Sequence, residues 1–470
     1  MNKTALILLA LLTATPTLAE KSATDRLHNW HQWRGPRADG SVPQGDPPLH
    51  WDESTNIQWK VEIPGSGSAT PIVWGDRVFV LTAIDTGRSP EPGAEPIVIQ
   101  APGDAGADAN TSPARRGNRK GRGGKKGAAP LTTPTPATLY RFDVLCLDRA
   151  TGKNLWQRTA VEEVPHEGHH PSHGYASASP TTDGRRLYAS FGSRGIFCYD
   201  LDGNFQWKSD FGHMETKRGF GEGTSPALHD DNVVVNWDHE GDSFIVCLDA
   251  NTGEERWRTP RDEFTTWATP LVVEHESTTQ VVVNATGRTR SYDLADGRLL
   301  WECGGQVDNP IPSPVARNGV VYCMTGYQGY AIMAISLDAR GDVSDGDMIL
   351  WKYAAAAPYI ASPLLYDNLL YFTKGDAGIL GCLDAETGKP MYGVKRLDGL
   401  GTIYASPVGA AGRIYLTDRN GATLVIEHGR KFNVLATNKL DDVFNASPVV
   451  VGDQLLLRGE KFLYSIAANE

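Results

Sequence analysis

The chain is poor in cysteine and has no long apolar run. Six cysteines among 470 residues, none adjacent to another, do not make a disulfide-stapled scaffold. No uninterrupted apolar segment reaches the roughly 20 residues that a membrane-spanning helix needs. Positive charge is also short: 45 Lys and Arg face 56 Asp and Glu, a formal charge of -11. That balance argues against broad nucleic-acid binding and leaves only local basic patches. Helical periodicity between apolar runs, which a βαβ chain needs, is missing as well. Turn formers and aromatics are abundant instead, with 50 Gly, 29 Pro, 12 Trp and 16 Tyr. A hydrophobic share of 40% is too high for a disordered chain.

Lys3 precedes an apolar run from Ala5 to Leu12, and Thr17-Leu18-Ala19 ends on a small residue. The pattern predicts a signal peptide over residues 1–19 and a mature protein soluble in the periplasm or outside the cell. No cysteine stands at the cleavage point, so no lipid anchor is expected. Cys146, Cys198, Cys247 and Cys382 each lie just before an aspartate at the end of a short apolar run. They read as free thiols in buried strands, whereas Cys303 and Cys323 form a possible pair that the sequence leaves open.

Internal repetition organises the rest. A Ser or Thr followed by Pro opens an apolar or alternating strand at Pro71, Pro180, Pro226, Pro270, Pro314, Pro363, Pro407 and Pro448. After the first, the intervals run from 41 to 49 residues. The unit from Ser225 to Arg258 holds four short strands joined by hairpin-sized turns, the pattern of a propeller blade. An Asp-x-x-x-Gly-x-x-x-Trp signal recurs, as in Asp148/Gly152/Trp156 and Asp249/Gly253/Trp257, with variants that carry Trp207, Trp301 and Trp351. Asp is expected to cap the turn amides, Gly to supply a positive φ, and the indole to pack on the neighbouring blade. The last unit lacks an outer strand, and Ile57 to Val61, carrying Trp59, has no upstream partner. The chain is therefore expected to be all-β, an eight-bladed β-propeller of four-stranded antiparallel blades closed by an N-terminal strand. A seven-bladed ring with an extra hairpin is the alternative. The domain reading is a signal peptide (1–19), an N-terminal extension (20–50) and the propeller (51–470), with a disordered basic insertion at about 86–138.

The repeats from about Trp51 to Ile466 resemble the quinoprotein-type (PQQ-like) β-propeller repeat family. That family includes quinone-dependent alcohol and glucose dehydrogenases and a non-enzymatic lipoprotein that assists outer-membrane protein assembly. The run Trp30-His31-Gln32-Trp33-Arg34-Gly35-Pro36-Arg37-Ala38-Asp39-Gly40 resembles the N-terminal signature of exported propeller proteins of planctomycetes and related bacteria. The resemblance is specific for fold and weak for function.

Alternating strand direction assigns each loop to a face. The long insertions at 86–138, 161–175 and 210–222 all fall on the face that carries the connections into the first strands, and long loops on a rigid ring commonly form its recognition surface. In the first insertion Arg115, Arg116, Arg119, Lys120, Arg122, Lys125 and Lys126 offer contact with an anionic surface. The second places His166, His169, His170 and His173 in one loop, donors suited to a transition metal. Further ligand-binding candidates on that face are Tyr175, Arg194, Asp238, His239, Trp267, Arg290, Tyr359, Lys374, Asp376, Tyr404 and Arg419.

The expected role is a non-catalytic exported binding or scaffold protein for a protein, polysaccharide or small polar ligand. The resemblance implies an alternative: an alcohol or sugar dehydrogenase with Ca2+ and a planar quinone (PQQ) near the axis. Asp238, Asp242 and Asp376 are candidate acids for it, but adjacent cysteines and a clear calcium-and-base set are missing, so PQQ is not expected. A metal-assisted, polysaccharide-active enzyme is a further alternative through the His-rich loop.

Overall fold

Short β-branched and aromatic runs bounded by Gly, Asn and Asp turns form eight radial sheets around one axis. The computed structural model describes residues 25–91, 97–98 and 133–468. The expected signal peptide, the basic cluster at 115–126 and most of the first insertion lie outside them.

In seven blades the four main strands run from the axis outward in chain order. The third shows the plan: Ala227–His229, Asn232–Trp237, Phe244–Asp249 and Glu255–Pro260 pair antiparallel in sequence. Two sheets gain a fifth strand. Ile97–Val98 pairs with Asn154–Glu163 in the first blade, and Gly341–Asp342 runs parallel to Leu299–Cys303 in the fourth. Ring closure follows the expectation: Ile57–Glu62 pairs antiparallel with Phe462–Ile466 and completes the eighth blade. The eight sheets exclude the seven-bladed alternative.

The repeated tryptophans join adjacent blades. Indole Nε1 atoms donate to turn carbonyls of the next blade: Trp59 to Arg149, Trp156 to Leu201, Trp207 to Ala250, Trp257 to Leu294 and Trp351 to Ala385. In the receiving turn Asp148 Oδ1 accepts from the Thr151 amide at 2.8 Å, and Gly152 sits at φ +71 beneath the Trp59 ring. A Cβ there would lie 2.8 Å from that ring, so the glycine serves both the turn and the dock. Trp301 departs from the pattern. It is fully buried and donates to Gln280 Oε1 within its own blade, because Gly341 pairs beside it as an added strand.

All six cysteines are buried and free, including Cys303 and Cys323. Among the described residues no helix is long and apolar enough to cross a membrane.

The N-terminal extension straps the face opposite the insertions. Trp30 O accepts from Val73 N in the first blade, His31 O from Thr182 N in the second and Asp39 O from Leu365 N in the sixth. Arg34 is buried and donates to both Pro363 O and Pro407 O at 2.8 Å. These contacts carry Trp33 to the axis.

Candidate functional site

The residue before each blade-opening proline carries a hydroxyl, and these eight hydroxyls form a closed collar. The Thr70 amide donates to Ser179 Oγ (3.0 Å) and the Ser179 amide to Ser225 Oγ (2.9 Å). The pattern continues through Thr269, Ser313, Ser362, Ser406 and Ser447, whose amide returns to Thr70 Oγ1 at 3.1 Å. Each oxygen thus accepts from the amide of a preceding blade, and all eight residues line the axial cavity, where a hydroxyl can also donate. A hydroxyl that accepts a hydrogen bond is polarised into a better donor.

Above the collar lies a cavity of about 300 Å3 on the insertion-rich face. Trp33 forms its floor and donates from Nε1 to Ser313 Oγ at 3.0 Å. Phe220, Trp267, Tyr359, Tyr404, Ile311 and Ile360 supply apolar wall, and His170, His173 and Asn445 supply polar edge. Aromatic stacking stiffens this wall: Tyr359 lies on Tyr327 with centroids 5.0 Å apart, and the Arg419 guanidinium lies 4.7 Å from the Tyr404 ring. Arg419 Nε is fixed by Asn445 Oδ1 at 2.8 Å. Burial, opposed by a hydrogen bond to the Glu222 carbonyl, drops His173 to about 4, so its ring is neutral at ordinary pH. None of the described lining residues is Asp, Glu, Lys or Arg.

The residues singled out from the sequence therefore separate into groups. Trp267, Tyr359, Tyr404, His170 and His173 line the axial cavity, with Arg419 behind Tyr404. Asp376 stands near Tyr359, whose hydroxyl is held above its ordinary pKa chiefly by burial, and Lys374 Nζ lies 5.3 Å from the Tyr330 ring. Asp238 is fully buried in a bidentate pair with Arg261 (2.7 and 2.9 Å), and His239 Nδ1 accepts from the Glu215 amide. Arg290 reaches Asp262, Glu263 and Glu302. Tyr175 packs between Tyr140 and His169, while Arg194 contacts Glu163 and Glu222.

The three insertions meet at one mouth. His170 N donates to Phe220 O at 3.0 Å, and Thr133 of the first insertion reaches Arg218 O and Gly219 O of the third. The four loop histidines do not form one cluster. His166 faces Glu167 and Glu222, with donor atoms all within 4.8 Å of one another, a set able to coordinate a metal ion. His275, Glu276 and Asp338 form a second such set on another part of the surface. The collar hydroxyls, Trp33, Phe220 and Glu222 were missed as site residues. The Ser/Thr-Pro repeat did carry a signal for the collar, since a position repeated once per blade at the first strand must encircle the axis.

The sequence family described as outer membrane protein assembly factor BamB matches residues 193–344. No curated protein matches the chain. Among solved structures, BamB from Moraxella catarrhalis is similar over 73% of this chain and 93% of its own, at 13% identity and TM-score 0.50. The quinohemoprotein alcohol dehydrogenase of Comamonas testosteroni is similar over 95% of this chain and 81% of its own, at 9% identity and TM-score 0.59. The fold is that of the quinoprotein-type propellers. Quinohemoprotein alcohol dehydrogenase ADHIIG of Pseudomonas putida HK5 shares it over 97% of this chain and 83% of its own, at 9% identity and TM-score 0.54. At these identities the likeness establishes architecture alone.

A quinoprotein-type propeller invites a test of its axis for Ca2+ and a quinone. Ca2+ takes about 6–8 oxygen ligands, usually with carboxylates among them. The axial lining offers hydroxyls, one amide and imidazoles but no described carboxylate, and both Asp238 oxygens are committed to Arg261. This donor set does not fit a Ca2+-held quinone.

Proposed function

We propose that this quinoprotein-type propeller is an exported carbohydrate-binding protein whose axial cavity takes the neutral, hydroxyl-rich end of a saccharide. The observation that carries the reading is the pairing of a hydroxyl collar with aromatic walls in a cavity whose described lining has no charged acid, lysine or arginine. A sugar ring offers C–H faces to Trp267, Tyr359 and Tyr404 and hydroxyls to the collar and Asn445. An anionic ligand would enter this pocket without a lining cation to balance it. Export rests on the Lys3 to Ala19 pattern.

The test is a fluorescence titration of the untagged mature protein with neutral and carboxylated oligosaccharides. Neutral sugars are expected to bind, with Trp267→Ala and Tyr404→Ala each weakening binding at least tenfold. Binding confined to anionic sugars, or unchanged in both variants, overturns the reading.

One observation favours a second reading, metal-assisted action on a polysaccharide. His166, Glu167 and Glu222 form a potential ion site, and the Glu222 carbonyl bonds to His173 of the cavity wall. Metal-dependent release of shorter products from a bound polysaccharide would identify an enzyme; bound sugar recovered unchanged would favour a binding protein.

A further inference from the structure

We infer that His166, Glu167 and Glu222 hold one divalent transition-metal ion that clasps the second and third insertions together beside the axial cavity. The inference adds an ion and a structural role to the insertion-rich face and does not depend on which ligand the cavity takes.

The imidazole is set up as a ligand. His166 Nε2 lies 2.6 Å from Met214 O, which only accepts, so Nε2 carries the proton and Nδ1 keeps its lone pair. Nδ1 is buried and has no hydrogen-bond partner. A ring N–H held by a backbone carbonyl is the usual outer support of a metal-bound histidine. The other three loop histidines are differently engaged: His169 Nδ1 with His170 O, His170 Nδ1 with Ser172 Oγ, and His173 through both nitrogens with Glu222 O and Ser177 Oγ.

Both carboxylates are oriented by matching contacts. Thr216 gives Glu167 its hydroxyl at 2.6 Å and its amide at 3.1 Å. Ser193 gives Glu222 its amide at 2.7 Å and also its hydroxyl. Among the described residues Arg194 is the guanidinium in ion-pair contact with this group, 3.3 Å from Glu222 and 3.3 Å from Glu163.

One imidazole and two carboxylates are donors for Zn2+ or Co2+, with remaining positions left to water. Metal bonds of about 2.1 Å put tetrahedral ligands roughly 3.4 Å apart, so donor atoms already within 4.8 Å of one another need at most about 1 Å of side-chain motion each to close on an ion. The set at His275 lacks this preparation, because His275 Nε2 already bonds to Asp338 at 2.8 Å. An ion at Glu222 would also steady its carbonyl, which holds His173 in the cavity wall.

The experiment uses untagged mature protein stripped with chelator and titrated with Co2+, read by visible absorbance. One equivalent is expected to bind and to be displaced by Zn2+. His166→Ala and Glu222→Gln should each weaken Co2+ at least tenfold, while His170→Ala should leave it unchanged. Glu167→Gln serves as a near-isosteric second variant if His166→Ala does not fold. Zn2+ should also slow hydrogen exchange across 164–175 and 210–222 together. Absence of a Co2+ band, equal loss in His170→Ala, or exchange slowed in neither loop would overturn the inference. The readout needs no sugar, so its failure and that of the carbohydrate reading are separable.

Discussion

Trp33 Nε1 donates to Ser313 Oγ at 3.0 Å although 280 residues separate them. The same oxygen accepts from the Thr269 amide, so the N-terminal strap and the collar meet at a single atom of the ring around the axis. The strap therefore sets the depth of the cavity as well as covering the opposite face.

Ser313→Ala should leave two donors without their acceptor and destabilise the protein by about 1–3 kcal/mol. Ser313→Thr keeps the oxygen and should lose less. Urea unfolding of the three proteins gives the comparison, and equal midpoints would show that solvent replaces the lost acceptor.

The closing blade contact can be tested from both sides. Trp59→Phe removes the 2.8 Å bond to Arg149 O and should cost about 1 kcal/mol. Gly152→Ala adds a Cβ 2.8 Å from the Trp59 ring at φ +71, so it should cost more, about 1–3 kcal/mol. Thermal melting should rank parent, Trp59→Phe and Gly152→Ala in that order.

Asp238 and Arg261 are both fully buried and paired at 2.7 Å. Arg261→Met alone should cost about 3–5 kcal/mol by stranding the carboxylate, whereas adding Asp238→Leu should recover part of the loss. A double-mutant cycle measures the coupling. A near-zero coupling energy would mean that water or another cation takes over the carboxylate.

His31 lies in the buried part of the strap. Burial first, then repulsion from Arg26, lowers its pKa from 6.5 to about 4. The unfolded chain therefore takes up a proton between these values that the folded chain does not. Its contribution to stability is present above pH 6.5 and is lost as pH falls toward 4, at up to about 1.36 kcal/mol per pH unit. His31→Gln should flatten the pH dependence of the urea midpoint in that window by about one proton. An unchanged slope would show that His31 titrates normally in the fold.

Strand and turn positions were legible because their signals are local. Gln454–Arg458 and Phe462–Ile466 fall where alternation and turn residues place them, and the unpaired Ile57 strand pointed to ring closure. Cavity-lining Trp267, Tyr359 and Tyr404 could also be named, since each sits just ahead of a first strand. Trp301 shows the limit of repetition: its motif predicts a dock on the next blade, but the added strand at Gly341 buries the ring in its own.

By itself the sequence determined eight blades, their closure and the face that gathers the insertions, because β-periodicity and turn chemistry act over a few residues and repeat. Only the tertiary structure decided which side chains share an environment. It joined His166 to Glu222, committed Asp238 to Arg261 and placed Trp33 beneath the collar. Such pairings depend on distances and burial set by the whole ring, and no local pattern in the chain encodes them.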